Sequence, residues 1–494
     1  MPPLFSILRN ASFLMGGHVI GTAIGLALLV LLSRSLGDAE FGRLHLALSL
    51  AMIFAAAGEL GLPQILARQV AQDRARARPY LRRAVVLVIA GGAVLYLGLL
   101  TVVELFGYGD AVVRLAAILG VLVTAEALAQ VVSALFQAHE QMRVPAIARV
   151  SANAFTLLLV APLLWRGHRA PAVATVMVAA ALLRVLIQVG ALRRLSGFQA
   201  PATAGPSWGG LIRTGLPFLL AQGLGTLAFR MDVLMLGRLA PAATVGWYAA
   251  TSRLVESLIF LPHLLTMATF PVAARLWVGA PAQFGGTVRK TLHLLLAIAI
   301  PITVTLAILA DKIIGLLFSL DTYGPSVPIL RIQAVSLTLM FVTFYLVGLL
   351  MAIGRERTWL AIAASTCLLT PILNAILIPA TQRHLGNGGI GAGLATLGGE
   401  IFILTMAGRY IPRGTFGRES WGVIARIAAA SGVLGLILVA GRDWWSGIPA
   451  AAVGAAVYAL LVLRLGIVPT EVSDRVRELL RSRSNRHASM EVRP

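Results

Sequence analysis

The sequence has little charge: only 12% of its 494 residues are Asp, Glu, Lys or Arg, against roughly a quarter in soluble domains. Hydrophobic residues make up 58% of the chain, so there are too few polar side chains to cover a soluble globule of this length. The composition therefore excludes a soluble enzyme and a disordered chain. It indicates instead that long apolar segments face lipid.

Several chemistry-bearing patterns are also missing. Cys367 is the single cysteine, which excludes an intrachain disulfide and a multi-cysteine metal site. No GxxxxGK[ST] motif is present, so we do not expect ATP to drive the protein. A GxGxxG pattern at residues 386–391 follows no strand, and we assign its glycines to the opening of a helix. We expect no cofactor, no metal site and no enzymatic activity.

Acidic residues are scarce, with 20 Asp and Glu against 41 Lys and Arg and a formal charge of +21. In a soluble protein this excess would indicate a nucleic-acid partner. Here the basic residues lie between apolar runs, which is typical of loops that face anionic lipid headgroups. We therefore expect membrane lipids as partners, and no nucleic acid.

What the chain does have is apolar runs of roughly 20 residues, the length of a helix that crosses a bilayer core of ~30 Å. About fourteen are present, and no loop between them is long enough for a soluble domain. They span residues 12–32, 44–66, 84–103, 114–137, 145–164, 171–192, 215–236, 244–270, 291–310, 326–350, 359–379, 390–410, 424–440 and 447–464.

Most Lys and Arg residues between the runs fall on the side of the membrane that holds the N-terminus. Because cytoplasmic loops are enriched in these residues, the pattern predicts an even number of spans with both termini in the cytoplasm. We expect the first run to be a retained helix. The polar tail at 470–483 is either an amphipathic helix on the membrane surface or a solvated segment.

The chain resembles itself at an offset of 204 residues. Gly42 matches Gly246, Arg34 matches Arg238, and Gly21 with Thr22 matches residues 225–226. The offset carries the first span onto the seventh, which predicts two pseudo-symmetric six-helix lobes. We expect lobes at 1–205 and 206–411, two additional transmembrane helices at 412–466 and a basic cytoplasmic tail at 467–494, in an all-α polytopic membrane protein.

Four segments resemble motifs of bacterial polysaccharide flippases. Residues 36–42 with 58–62 resemble LGxxxFG…DLGL, and residues 245–254 resemble VGxYxxAxRL. Residues 348–355 together with Asn374 resemble the segment around helix 11, and residues 388–396 resemble GxxGAAxAT. Glu59 stands where many relatives carry Asp, and Gly393 where Ala is usual.

The resemblance implies the polysaccharide (O-antigen or exopolysaccharide) flippases of the multidrug/oligosaccharidyl-lipid/polysaccharide exporter superfamily. Such a protein moves an oligosaccharide on undecaprenyl pyrophosphate across the bacterial inner membrane by alternating access, and a polysaccharide polymerase is a further candidate partner. Two alternatives from the same superfamily are a cation-coupled multidrug exporter and a lipid II flippase.

A diphosphate cannot cross the bilayer without compensation of its charge. Arginine suits it because the planar guanidinium donates two parallel hydrogen bonds to phosphate. We expect Arg230 and Arg253 to line a wet cavity and bind the headgroup. The alternative is a buried ion-pair network, in which Asp232 and Glu256 are the acidic partners.

The remaining candidates are polar residues within the apolar runs. Glu126, Gln130 and Gln137 follow one helical face, which either lines the cavity or joins two helices. Asn374 is a further substrate-binding candidate. Glu59 is either a coupling acid or a hydrogen-bonding group near Pro63. We expect Arg184 to extend to the membrane interface.

Overall fold

The computed structural model describes residues 3–195, 206–411, 418–442 and 448–467. The secondary-structure elements in these ranges are all helices, and the ranges contain no strand. The expected tail helix at 470–483 lies outside them. The helices are α1 (Pro3–Gly58), α2 (Leu62–Gln72), α3 (Ala77–Leu105), α4 (Asp110–Leu119), α5 (Val121–Ala138), α6 (Arg143–Trp165), α7 (Ala170–Ala191), α8 (Trp208–Leu239), α9 (Ala242–Leu258), α10 (Phe260–Gly279), α11 (Pro281–Ile308), α12 (Ala310–Leu317), α13 (Leu320–Tyr323), α14 (Ser326–Ala352), α15 (Glu356–Leu385), α16 (Gly388–Gly408), α17 (Arg418–Ala440) and α18 (Ile448–Arg464).

Twelve helical stretches in the described ranges are long and apolar enough to cross a membrane. The first, Met15–Gln72, contains two of the expected runs, and the shorter α18 contains the last. Each of the fourteen runs therefore lies on helical structure. The prediction of an all-α polytopic membrane protein is confirmed.

Helix α1 is two helices joined at Gly37. The backbone there has φ 76° and ψ 173°, a conformation that is essentially restricted to glycine. The Asp38 carboxylate accepts a hydrogen bond from the backbone N–H of Ala39 at 2.7 Å. This acid compensates one of the unsatisfied donors at the start of the second helix.

One compact unit comprises residues 1–253 and 370–392. Within it α1 packs against α6 and α8, α2 against α5, and α6 against α7. Its apolar cluster includes Leu62 and Leu66 of α2, Val88 of α3 and Phe136 of α5, all of them buried.

The other unit comprises residues 254–369 and 393–494. Helix α11 packs against α14 and α17, and α17 packs against α18. Tyr458 of α18 donates a hydrogen bond to the Ala297 carbonyl of α11 at 2.6 Å. The two additional helices expected after the second lobe are thus α17 and α18, joined to α11 by apolar and polar contacts. The units are defined by packing, so the lobe boundaries drawn from the repeat stay a prediction.

Candidate functional site

The second half of α1 crosses α9 at two glycines. A Cβ added to Gly42 would meet the carbonyl oxygen of Ala242, and one added to Gly246 would meet the carbonyl oxygen of Asp38. Both pairs of positions are separated by the repeat offset of 204 residues, so the contact is symmetric under the internal repeat. Glycine is needed at both positions because the two backbones touch.

The first two flippase-like motifs meet at this crossing. Trp247 on α9 donates its indole N–H to the Asp38 carboxylate at 2.8 Å. Glu40, from the same motif as Asp38, accepts from the backbone N–H of Ala170 at 2.8 Å and so caps the start of α7. The motif residues therefore fix helix ends and the position of α9 against α1.

Beyond the crossing lies a cluster of cationic and imidazole side chains. The Nε–H of Arg253 on α9 donates to Nε2 of His45 on α1 at 3.1 Å, and His45 is only 4% exposed. The charge of Arg230, on α8, also acts on the His45 ring. We call these three residues the arginine–histidine cluster. Arg253 contacts the imidazole directly, whereas Arg230 acts on it through its charge.

His45 is a site residue that the sequence does not single out. The sequence gives little indication of a role for it, since it is a single histidine in the apolar run LHLALSL. Its partner Arg253 lies 208 positions away in the chain, and no local spacing connects the two. Two arginines in membrane-spanning helices favour an anionic ligand, because phosphate oxygens accept strong charge-assisted hydrogen bonds.

Asp232 and Asn374 form a second polar group. Asp232 accepts hydrogen bonds from the Tyr248 hydroxyl and from the Asn374 amide, both at 2.7 Å. Asp232 is 9% exposed and Asn374 is fully buried. The structure therefore joins two of the predicted site residues to each other. Binding by Asn374 and coupling by Asp232 both stay predictions.

The polar face of α5 meets a polar face of α7. Arg184 donates to the Glu126 carboxylate at 2.6 Å and makes a longer contact of 3.5 Å with Gln130. One turn further, Gln188 donates to Ser133 at 2.9 Å. The expectation that Arg184 extends to the membrane interface is wrong, because the residue as a whole is only 7% exposed. These contacts favour the helix-joining interpretation of Glu126 and Gln130.

Three further predicted residues lie at other positions on these helices. Gln137, at the end of α5, is exposed. Glu256 is half-buried on α9. Glu59 is half-buried beside the break between α1 and α2, where the charges of Glu126 and Arg184 act on it. Among the described residues its carboxylate has no hydrogen-bond partner, so the expected bond near Pro63 is not formed there.

The glycines at 386–391 open a helix, as expected. Side chains at the end of α15 cap α16: Gln382 accepts from the N–H of Gly388 at 2.8 Å, and Thr381 accepts from that of Gly391 at 3.0 Å. In the described ranges no group of three or more His, Cys, Asp or Glu residues is arranged to hold a metal ion.

Two family models match the sequence. The model described as "Polysaccharide biosynthesis protein" matches residues 7–277, more than half of the chain. The chain belongs to this polysaccharide biosynthesis protein family. The MatE model matches residues 217–376 of the chain. No curated protein sequence matches it.

Solved structures of membrane transporters share the fold. The lipid II flippase MurJ, in an inward closed conformation, has a TM-score of 0.71 at 14% identity, covering 93% of this chain and 98% of MurJ. An inward-facing multidrug resistance MATE family transporter has a TM-score of 0.67 at 15% identity, covering 83% and 96%. A MOP superfamily transporter from Pyrococcus furiosus has a TM-score of 0.54 at 16% identity, covering 86% and 96%.

At these identities the solved structures establish the fold, which is MurJ- and MATE-like and built of two lobes. The matching families consist of transporters, not enzymes. Together with the apolar helices, the family match indicates that this chain is a multi-pass membrane protein.

Proposed function

We propose that the chain flips a lipid-linked oligosaccharide, carried on undecaprenyl pyrophosphate, across the bacterial inner membrane for surface polysaccharide biosynthesis. The oligosaccharide binds between lobes 1–205 and 206–411, which alternate between access from the cytoplasm and from the periplasm. Both termini lie in the cytoplasm. A polysaccharide polymerase consumes the flipped product.

The arginine–histidine cluster carries this proposal. Two cationic side chains within apolar helices are costly unless a ligand or partner compensates their charge. A diphosphate diester carries two negative charges, which matches the charges of Arg230 and Arg253. Guanidinium groups also fit phosphate in shape, because each can donate two parallel hydrogen bonds.

A lipid II flippase is the second candidate. The structural similarity to MurJ covers 93% of this chain, whereas the similarity to the MATE transporter covers 83%. The wider coverage favours a flippase over a drug exporter. Lipid II also carries an undecaprenyl diphosphate, so the arginine–histidine cluster suits either flippase substrate.

Deletion of the gene separates these functions. We expect a lipid-linked oligosaccharide of the surface polysaccharide pathway to accumulate in the cytoplasmic leaflet, with peptidoglycan synthesis unchanged. Accumulation of lipid II instead would support the second candidate. Loss of dye efflux with normal surface glycan would contradict both and support a drug exporter.

Arg253→Ala should weaken binding of the diphosphate headgroup by about 10- to 100-fold, the loss expected for a hydrogen bond to a charged group. The affinity of Arg253→Lys should lie between those of the wild type and Arg253→Ala, because lysine keeps the positive charge but cannot donate two parallel hydrogen bonds. Flipping in proteoliposomes measures the effect. The control is Arg114→Ala, an exposed arginine on α4. Full activity of Arg253→Ala would remove Arg253 from the binding site.

The orientation has its own test. A green fluorescent protein fused after residue 494 should fluoresce, because it folds in the cytoplasm and fails to mature in the periplasm. Alkaline phosphatase at the same position should be inactive. The opposite pair of results would place the C-terminus outside and reverse the direction assigned to the loops.

A further inference from the structure

We infer that His45 is a positioning residue for Arg253: its Nε2 holds the guanidinium in the orientation that receives the diphosphate headgroup. The inference rests on the proposed function. It adds to the headgroup site a residue that was not among the site residues predicted from the sequence. The observation behind it is the 3.1 Å hydrogen bond between Arg253 Nε and His45 Nε2.

The direction of this bond fixes the form of the imidazole. An arginine Nε–H can only donate, so His45 Nε2 accepts and carries no proton. The single proton of the neutral ring is then on Nδ1. Among the described residues Nδ1 has no hydrogen-bond partner, although it is buried.

An unsatisfied buried donor lowers stability. A leucine or methionine at position 45 would fill similar space without this cost. Packing therefore does not account for a histidine here. The contact that does account for it is the one that Nε2 makes with Arg253.

Holding Arg253 through Nε determines where the rest of its side chain points. The guanidinium is planar, so a bond at Nε sets the plane in which the two terminal nitrogens lie. These are the nitrogens that donate in parallel to phosphate. An arginine ordered in advance binds more tightly, because less side-chain freedom is lost when the ligand arrives.

The backbone supports this geometry. His45 lies one turn after Gly42 on α1, and Arg253 lies two turns after Gly246 on α9, so both follow the close crossing of these helices. The Phe41 ring lies 6.1 Å from the His45 ring and packs beside it. The charged groups that act on His45 are Arg253 and Arg230.

Binding of undecaprenyl diphosphate to the purified full-length protein in nanodiscs tests the inference. His45→Leu removes the acceptor and should weaken binding about tenfold, or about 1.4 kcal/mol. His45→Gln offers an amide oxygen to Arg253 and should stay within about threefold of the wild type. His45→Met provides a second acceptor-poor variant if the leucine variant does not fold.

A double-mutant cycle separates positioning from a structural role. In an Arg253→Ala background, His45→Leu should cause no further loss of binding. The matched control is His293→Leu on α11, since His293 is 8% exposed and its Nε2 has no partner among the described residues. This variant should bind undecaprenyl diphosphate as the wild type does.

Two results would overturn the inference while the proposed function stands. In the first, the wild type binds, Arg253→Ala weakens binding, and His45→Leu and His45→Met bind normally. In the second, His45→Leu weakens binding by the same factor with and without Arg253. If neither the wild type nor Arg253→Ala binds the probe, the proposed function itself fails, and the role of His45 fails with it.

Discussion

Arg184 and Glu126 form an ion pair between α5 and α7 with an N–O distance of 2.6 Å. The Arg184 side chain is 9% exposed and that of Glu126 is 25% exposed. Removing one member of such a pair leaves the other charge buried without compensation. The protein is then less stable than it would be with both charges replaced by apolar groups. The pair is therefore a point where one substitution strongly affects folding.

Glu126→Ala should lower the free energy of unfolding by about 3 kcal/mol, the lower end of the range for a broken buried pair. Chemical unfolding in detergent micelles measures it. Glu104→Ala, at an exposed glutamate of α3, should change stability by less than about 0.5 kcal/mol. Equal stability of the two variants would contradict a structural role for the pair and reopen a binding role for Glu126.

The same residues show that a single sequence predicts a polar helix face but not the side chains that pack against it. The spacing of Glu126, Gln130 and Ser133 predicts one polar face, and the structure has that face. What lies opposite is not predictable, because Arg184 is 58 positions away and an isolated arginine near a helix end also fits the interface. The contact between His45 and Arg253 is also not predictable, because the two residues are 208 positions apart.

At the scale of elements, the crossing of α1 and α9 depends on two glycines. Gly246→Ala should lower the free energy of unfolding by about 1 to 3 kcal/mol, because the added methyl group meets the Asp38 carbonyl and forces the helices apart. Thermal unfolding in detergent reports the change. Gly25→Ala is the control, since a Cβ there meets nothing within 4 Å. If both variants melt at the same temperature, the helices do not cross this closely.

A salt bridge links α12 to the turn that follows α17. Arg442 donates to the Asp311 carboxylate at 2.8 Å. Burial alone would raise the pKa of Asp311, but the hydrogen bond and the charge of Arg442 outweigh it and hold the pKa below its ordinary value. A lowered pKa in the folded state means that the pair stabilises the protein above the unfolded pKa of about 4. That stability is lost as pH falls through the lower folded pKa.

Asp311→Asn should therefore destabilise the protein at pH 7 by up to about 1 kcal/mol, since the pair is partly exposed and screened. The difference from the wild type should shrink as the pH drops below about 4. Unfolding curves at pH 7, 5 and 3.5 measure it. Asp321→Asn, at an exposed aspartate of α13, should show no such convergence. A constant difference at all three pH values would contradict the assignment to Asp311.

For the whole molecule, the fold is accessible from the sequence because the helices of a membrane protein are visible as apolar runs. The fourteen runs lie on helices, and the motifs at 36–42 and 245–254 lie within the region that the family model matches. The non-helical backbone conformation at Gly37, which divides α1 into two helices, is not predictable from the apolar runs. The chemistry is less accessible, because Asp232, Tyr248 and Asn374 become a group only when distant helices pack together.

The crossing at Gly42 and Gly246 has a consequence for the ancestry of the chain. Residue 42 touches the carbonyl of residue 242 while residue 246 touches that of residue 38, so each repeat presents the same patch to the other. This is the form of an isologous interface between identical subunits. A half-length chain carrying these residues would make the same contact with its own copy in a homodimer, and gene duplication with fusion would enclose that interface in one polypeptide.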